Sequence, residues 1–193
     1  GDVKFMDIDH NGTINADDKV DLGNGLPKYT FGFNFTIGYK GFDLSMNATG
    51  AAGFKIAQSY RDPSSSQGNY SRKILNRWTG EGTSNFMPRV TFNDAGNWIF
   101  SDLYLQDGDY IRLQNLTLGY DFKRLISWKG ISKLRLYVQA QNLLTLTKYD
   151  GMDPEIGSYN GTNGNSSDSW VSGVDMGYYP HPRTFLVGVN IGF

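Results

Sequence analysis

The chain has 193 residues with 18 Lys+Arg against 19 Asp+Glu, a formal net charge of -1 that gives no electrostatic reason to expect nucleic acid or a polybasic membrane contact. It has no cysteine, which excludes a disulfide framework, a zinc finger and a thiol nucleophile. Its 24 Gly and 15% aromatic residues suit strands that alternate large outward and small inward side chains, and a mean hydropathy of -0.44 does not exclude a membrane barrel, whose strands are apolar only at every second residue.

The chain opens on GDVKF, which has neither a charged n-region nor an apolar h-region. No secretion signal is expected, and the protein is then either small or a piece of a larger one. DIDHNGTINADD follows at residues 7 to 18. Asp7, Asp9, Asn11 and Asp18 fall at the first, third, fifth and twelfth places of a calcium-binding loop, with Gly12 at the sixth, where the backbone must turn sharply. Thr13 would offer its carbonyl at the seventh place and Asn15 could act through water at the ninth. The alternative is an Asx-rich turn without a metal, because Asn and Asp also favour turns for local hydrogen-bonding reasons. Asp18 stands where a longer Glu is usual, which lowers the expected affinity.

A calcium sensor needs a helix on each side of its loop. Here GDVKFM precedes it, and Gly23, Gly25 and Pro27 in KVDLGNGLPK would stop any helix within two turns. A structural calcium is therefore expected, as a staple and not a switch.

Residues 29 to 39, YTFGFNFTIGY, alternate without a break: Tyr29, Phe31, Phe33, Phe35, Ile37 and Tyr39 against Thr30, Gly32, Asn34, Thr36 and Gly38. After Lys40 and Gly41 the pattern resumes with Phe42, Leu44, Met46 and Ala48, which predicts a hairpin. A third strand is predicted near 110 to 122, with Leu116, Leu118, Tyr120 and Phe122 on one face. A fourth, near 133 to 144, carries Leu134, Leu136, Val138 and Ala140, and the fifth is RTFLVGVNIGF at 183 to 193.

These lengths fit tilted membrane-spanning strands of about nine to eleven residues better than soluble strands of about five to six. The apolar faces carry no charge, and Tyr29, Tyr39, Phe42, Tyr120, Phe122 and Phe193 lie near strand ends, as in the aromatic girdles of outer-membrane barrels. A soluble sandwich with the same alternation turned inward is the alternative. Short connections at 40 to 41 and 123 to 132 alternate with long ones at about 52 to 109 and 145 to 182, the asymmetry of short periplasmic turns and long extracellular loops. On this reading residues 1 to 28 are an extracellular loop with the calcium motif, and residues 29 to 193 are barrel strands and loops. Five strands cannot close a membrane barrel, so the chain is a fragment or pairs with another.

LQDGDYIRLQNLTLGYDF, LRLYVQAQNLLTLTKYDGMDPE and YYPHPRTFLVGVNIGF resemble the C-terminal end of SusC/RagA-type TonB-linked outer-membrane transporters, and GDVKFMDIDHNGTINADDK, PKYTFGFNFTIGYKGFDLS and RWTGEG resemble the elements that precede it. The resemblance implies an all-β fold, the C-terminal strands of a large antiparallel transmembrane β-barrel of about 22 strands with an N-terminal plug. It implies import of glycans or peptides across the outer membrane of a Gram-negative bacterium, in partnership with a SusD-like surface lipoprotein and powered by TonB-ExbB-ExbD. The plug and TonB box of that pattern are not in this sequence, so the remaining barrel and plug are expected from elsewhere. The alternative function is a secreted, calcium-stabilised β-domain for adhesion or carbohydrate binding.

Catalysis is not expected, because His10 and His181 are the two histidines and His10 sits at a non-ligating place of the loop. Asp150, Asp153 and Glu155 in YDGMDPE read as turn chemistry beside Pro154. Trp78, Trp98 and Trp170, with Tyr159 and Tyr179, lie in the long segments, where an aromatic face could stack on a sugar or pack against the lipoprotein. Packing inside the loop's own small core is the equal alternative.

Overall fold

The structure, a computed structural model, describes residues 1–58, 72–90, 96–126, 128–156 and 172–193. Among them it is all-β, with short 3-10 turns and no α-helix. The strands are β1 (Tyr29–Tyr39), β2 (Phe42–Ala52), β3 (Lys55–Gln58), β4 (Leu105–Asp107), β5 (Tyr110–Asp121), β6 (Lys133–Thr147), β7 (Val174–Asp175) and β8 (Thr184–Gly192). The chain divides into two compact units, Gly1–Gly23 with Ser59–Leu105 and Asn24–Gln58 with Gln106–Phe193.

In the second unit the five long strands form one antiparallel sheet in the order β1-β2-β5-β6-β8. The hairpin between β1 and β2 pairs Tyr39 with Phe42 and turns on Lys40 (φ 47) and Gly41 (φ 91). Positive φ at both central residues marks the turn whose twist matches the flanking strands. Neither outer edge of this sheet, β1 or β8, is paired with another strand among the described residues.

A step in register crosses the middle of the sheet. Ala48 pairs with Leu113 while Asn47 pairs with Asn115, so Gln114 is extra on β5. On β6, Asn142 and Leu143 fall between Gln141, opposite Asn115, and Leu144, opposite Leu113. One added residue reverses the side-chain parity of β5; two relative to β2 restore it on β6. Ile111 and Leu113 therefore share a face with Leu116, Leu118 and Tyr120, and Arg112 goes to the other face with Thr117 and Gly119. Asn142 takes φ 50, a left-handed conformation that Asn tolerates better than most residues.

The outward face is apolar and stays open to its surroundings: Phe33 is 53% exposed, Val138 49% and Val187 75%. A soluble sandwich would cover such a face with a second layer, and none lies on it among the described residues. At the end near the Lys40–Gly41 turn, Phe42 packs on Tyr120 at 4.4 Å between ring centres and Tyr120 meets Phe122 edge-on at 4.9 Å.

The opposite end of the sheet carries a second, small sheet in the order β4-β3-β7. Its strands lie within the segments expected as long loops. Under it Ala51, Phe54, Ile56, Tyr149 and Ile156 form the buried apolar core, with Tyr110 against it. A Cβ on Gly108 would strike the Phe54 ring, so glycine is what lets that ring lie flat on the backbone.

Candidate functional site

The inner face of the large sheet is polar. The Asn47 side-chain amide donates to Asn34, Gln139 donates to Asn115 at 3.1 Å, and the Thr36 and Ser45 hydroxyls are 3.4 Å apart. Arg135 on β6 reaches across β5 and donates to both oxygens of Asp43 on β2, at 2.7 and 2.5 Å. Gly119 makes that reach possible, because a Cβ there would come within 2.5 Å of the guanidinium and of Asp43. The same guanidinium sits 4.8 Å over the Tyr137 ring. One face of amides, hydroxyls and an ion pair, backed by one face of bare hydrocarbon, is the arrangement of a wall between water and lipid.

In the first unit the acidic loop folds as its residue types dictate. Asp7 accepts from the backbone N–H of Asn11 (3.2 Å) and Gly12 (2.8 Å), Asp9 from Asn11 N (3.1 Å), and Asn11 from Thr13 N (2.7 Å). Asn15 caps the 3-10 turn Ala16–Asp18, and Asp18 reaches back to Asn15 N and Ile8 N, both at 2.8 Å. Gly12 takes φ +80, as the sixth place requires. The result brings one carboxylate oxygen each of Asp7, Asp9 and Asp18 within 4.8 Å of one another.

Crowded carboxylates without a neutralising charge repel, and no cationic side chain pairs with these three among the described residues. Hard oxygen donors on a turning backbone fit a calcium ion. Asn11 stands among them, and Thr13 follows the turn at Gly12. The backbone N–H groups of Asn15 and then Ile8 hold the Asp18 carboxyl below its ordinary pKa. Lys19 after the 3-10 turn is extended, and the loop has no flanking α-helix among the described residues.

Elsewhere in this unit Asp2 joins the chain start to the later segment. It accepts from Arg89 at 2.6 and 2.8 Å and from Asn97 at 2.9 Å, contacts that lower its pKa, Arg89 foremost. Trp78 is half-buried, and a Cβ on Gly1 would meet its ring. With Asp2, Lys4, Phe86, Met87 and Asp102 it lines an open cleft of about 490 Å³. Gly1, which packs on the Trp78 ring, lines the same cleft. The side chain of Trp98 and all of Tyr159 and Trp170 lie outside the described residues. Tyr179 is exposed.

The residues set aside as turn chemistry prove to be more. Asp153 does accept from Glu155 N (2.9 Å) as a turn residue, but it is also buried against Arg112, itself buried, in a direct ion pair. His181 adds its backbone N–H and its Nδ1, each 3.0 Å from the second Asp153 oxygen. Burial alone would raise the Asp153 pKa, and these donors together with Arg112 outweigh it and lower it. Glu155 lies 3.0 Å from Arg112 Nη1, close enough to attract but not in hydrogen-bonding geometry. Arg112 also donates to Thr145 at 3.2 Å.

Nearby, the Tyr149 hydroxyl donates to buried Asp175, which also accepts from the backbone of Gly177 and Tyr178. Asp150 takes hydrogen bonds from Gln58 on β3 and Gln106 on β4. The network ties β5 and the two segments that follow β6 and precede β8 into one rim. Asp153 lies 41 positions from Arg112 and 28 from His181, and Tyr149 lies 26 from Asp175, so no local motif announces these contacts.

No family model matches the sequence. The chain is 35% identical along its whole length to TonB-dependent receptor P3 of Formosa agariphila, covering 19% of that protein. Over 98% of its length it is 28% identical to TonB-dependent receptor SusC of Bacteroides thetaiotaomicron, covering 17% of that protein. Among solved structures, the RagAB peptide transporter matches 94% of the chain with a TM-score of 0.70 at 24% identity, over 19% of that structure's chain. The RagAB peptide importer in its closed-closed state gives 0.66 at 22% identity, over 95% of this chain and 20% of that one. The chain spans about a fifth of the length of the relatives it matches, and the structural likeness gives it the fold of a section of a large β-barrel.

Proposed function

We infer that this chain, which belongs along its whole length to the SusC/RagA-type TonB-dependent receptors, forms part of the wall of an outer-membrane importer of glycans or peptides and is not an enzyme. The observation that carries the reading is the division of the five-stranded sheet into an uncharged, exposed apolar face and a polar face, with strands at both edges that are unpaired among the described residues. In lipid an unpaired edge costs several kcal/mol for each backbone group, so β1 and β8 require neighbouring strands from the rest of the barrel. The whole transporter would draw energy from TonB-ExbB-ExbD and take its substrate with a SusD-like surface lipoprotein. The cleft beside Trp78 is the place in this chain we assign to contact with substrate or with that lipoprotein. The secreted β-domain alternative is opposed by the bare apolar face.

The test is fractionation of the full-length protein with an epitope in this segment. Recovery from outer membranes only in detergent, as a heat-modifiable band, fits the proposal; a monodisperse protein in the detergent-free soluble fraction would sink it.

Asp7, Asp9, Asn11, Asp18 and the Thr13 carbonyl are proposed to hold a structural calcium outside the cell. Extracellular sites of about 10⁻⁴ to 10⁻³ M affinity are substantially filled where calcium is near millimolar, which suits a permanent staple. Calcium titration of the Asp7→Ala/Asp9→Ala variant tests it: loss of one bound ion supports the site, and wild-type stoichiometry refutes it.

A further inference from the structure

We propose that the end of the large sheet around the Lys40–Gly41 turn is a docking surface for the anionic headgroups of membrane phospholipids, a proposal that rests on the reading of this sheet as a membrane wall. Three connected observations lead there. Asp121 N donates to Gly41 O at 2.8 Å and Ser132 N to Gly192 O at 2.8 Å, so the hairpin turn, the link from Phe122 to Ser132 and the end of β8 share one rim.

Charge is segregated on that rim. Asp43 has the inward parity and is paired with Arg135, and Asp121 is inward too, accepting from Lys123 N at 2.9 Å and Leu134 N at 3.4 Å. Lys133 has the inward parity of Arg135 and so does not belong to the proposed surface. Lys40 and Lys129 are exposed, and the Lys40 ammonium lies 5.2 Å over the ring of Tyr39, an outward residue at the last position of β1. The acids thus face inward and are engaged, while the exposed rim carries ammonium groups.

The link itself is amphipathic. Its 3-10 turn, Phe122–Arg124, is held by Leu125 N and Ile126 N donating to Phe122 O, and Lys123 Nζ closes the far side on Trp128 O at 2.8 Å. That fold leaves Leu125 69% and Trp128 61% exposed in the link that continues from the aromatic row of Phe42, Tyr120 and Phe122 ending the apolar face. Apolar and indole groups at a membrane boundary with ammonium groups next to them match an acyl chain joined to a phosphate. Neutral headgroups offer the phosphate with its charge cancelled by choline, so a net preference for anionic lipid follows.

The experiment uses the full-length transporter containing this chain, reconstituted in phosphatidylcholine bilayers with about a third phosphatidylglycerol, and electron spin resonance of spin-labelled lipids to read the protein-associated fraction of each. The wild type is expected to favour phosphatidylglycerol several-fold at low salt and to lose the preference at high salt. Lys40→Gln/Lys129→Gln is expected to bring the ratio to parity with unchanged phosphatidylcholine contact, and Lys40→Arg/Lys129→Arg to retain the preference. Parity in the wild type overturns the proposal, as does full preference in the Gln variant. Absence of protein-associated lipid of either kind overturns the membrane reading itself, so the two failures are distinct.

Discussion

Asp7, Asp9 and Asp18 gather in an open loop of the first unit, whereas Asp153 and Asp175 are buried at 4% and 1% exposure in the second. Both groups collect backbone N–H donors, and there the likeness ends. Asp153 has a guanidinium from a neighbouring strand within ion-pair distance, so the chain supplies the cation that a buried carboxylate needs. The loop has its donors but no protein cation among the described residues, which leaves the compensating charge to come from solution. A carboxylate cluster supplied from within behaves as architecture; one left without a counter-charge is open to a metal.

The largest effect is expected where the internal cation would be stranded. Asp153→Ala leaves Arg112 buried at 2% exposure without its closest partner, at a cost of about 3–5 kcal/mol. Arg112→Met/Asp153→Leu is expected to recover most of that loss. Denaturant unfolding of the assembled barrel measures both, and equal losses in the single and double variants would show that the pair is not compensating.

Gly119→Ala probes an ion pair on the open inner face. The added Cβ would stand 2.5 Å from Arg135 and from Asp43, displacing their contact at about 1–3 kcal/mol, less than the buried pair because water can reach the separated ions. A neutral result in the same unfolding assay would mean that Arg135 finds another path.

Calcium removal is expected to act on the loop alone. Chelator should speed amide exchange at Ile8, Gly12 and Asn15, whose N–H groups donate to the carboxylates proposed to hold the ion, and leave the sheet ladder unchanged. Faster exchange throughout β1 and β2 would contradict a purely local staple.

Acid has the smallest effect near neutral pH, because one carboxyl of each cluster, Asp18 and Asp153, has a depressed pKa. A carboxylate whose folded pKa is lowered contributes stability that is complete above its unfolded value and lost as pH falls through the folded one. For Asp18 and Asp153, each lowered from 3.8, protection of Asn15 N–H and His181 N–H is expected to persist from neutral pH to about pH 4 and to fail below it. Loss of either near pH 6 would show that the carboxylate is not the group holding that amide.

Much of this architecture is legible in the residues because it depends on near neighbours. Alternation places β1 with its observed ends and β2 with its observed start, though β2 runs on to Ala52 beyond the pattern that ends at Ala48, since successive side chains of a strand must point to opposite faces. Lys40–Gly41 marks the turn, and the spacing of Asp7, Asp9 and Asp18 already gathers the three carboxylates that lie within 4.8 Å of one another.

The same reasoning stops where distant segments decide. Continued backward from Leu116, the alternation of β5 would send Arg112 to the apolar face, and only the extra Gln114, set against particular residues of β2 and β6, turns it to the polar one. Strands β3, β4 and β7 have four, three and two residues, too few for a period to register, and form because the core beneath them buries Phe54 and Ile56. Asp153 reads as a turn residue because its local hydrogen bond is one, while its ion pair to Arg112 spans 41 positions. Periodicity and turn chemistry are local and survive in the sequence alone; bulges, short strands and buried charge pairs draw their free energy from what lies opposite, which the chain specifies only once it has folded.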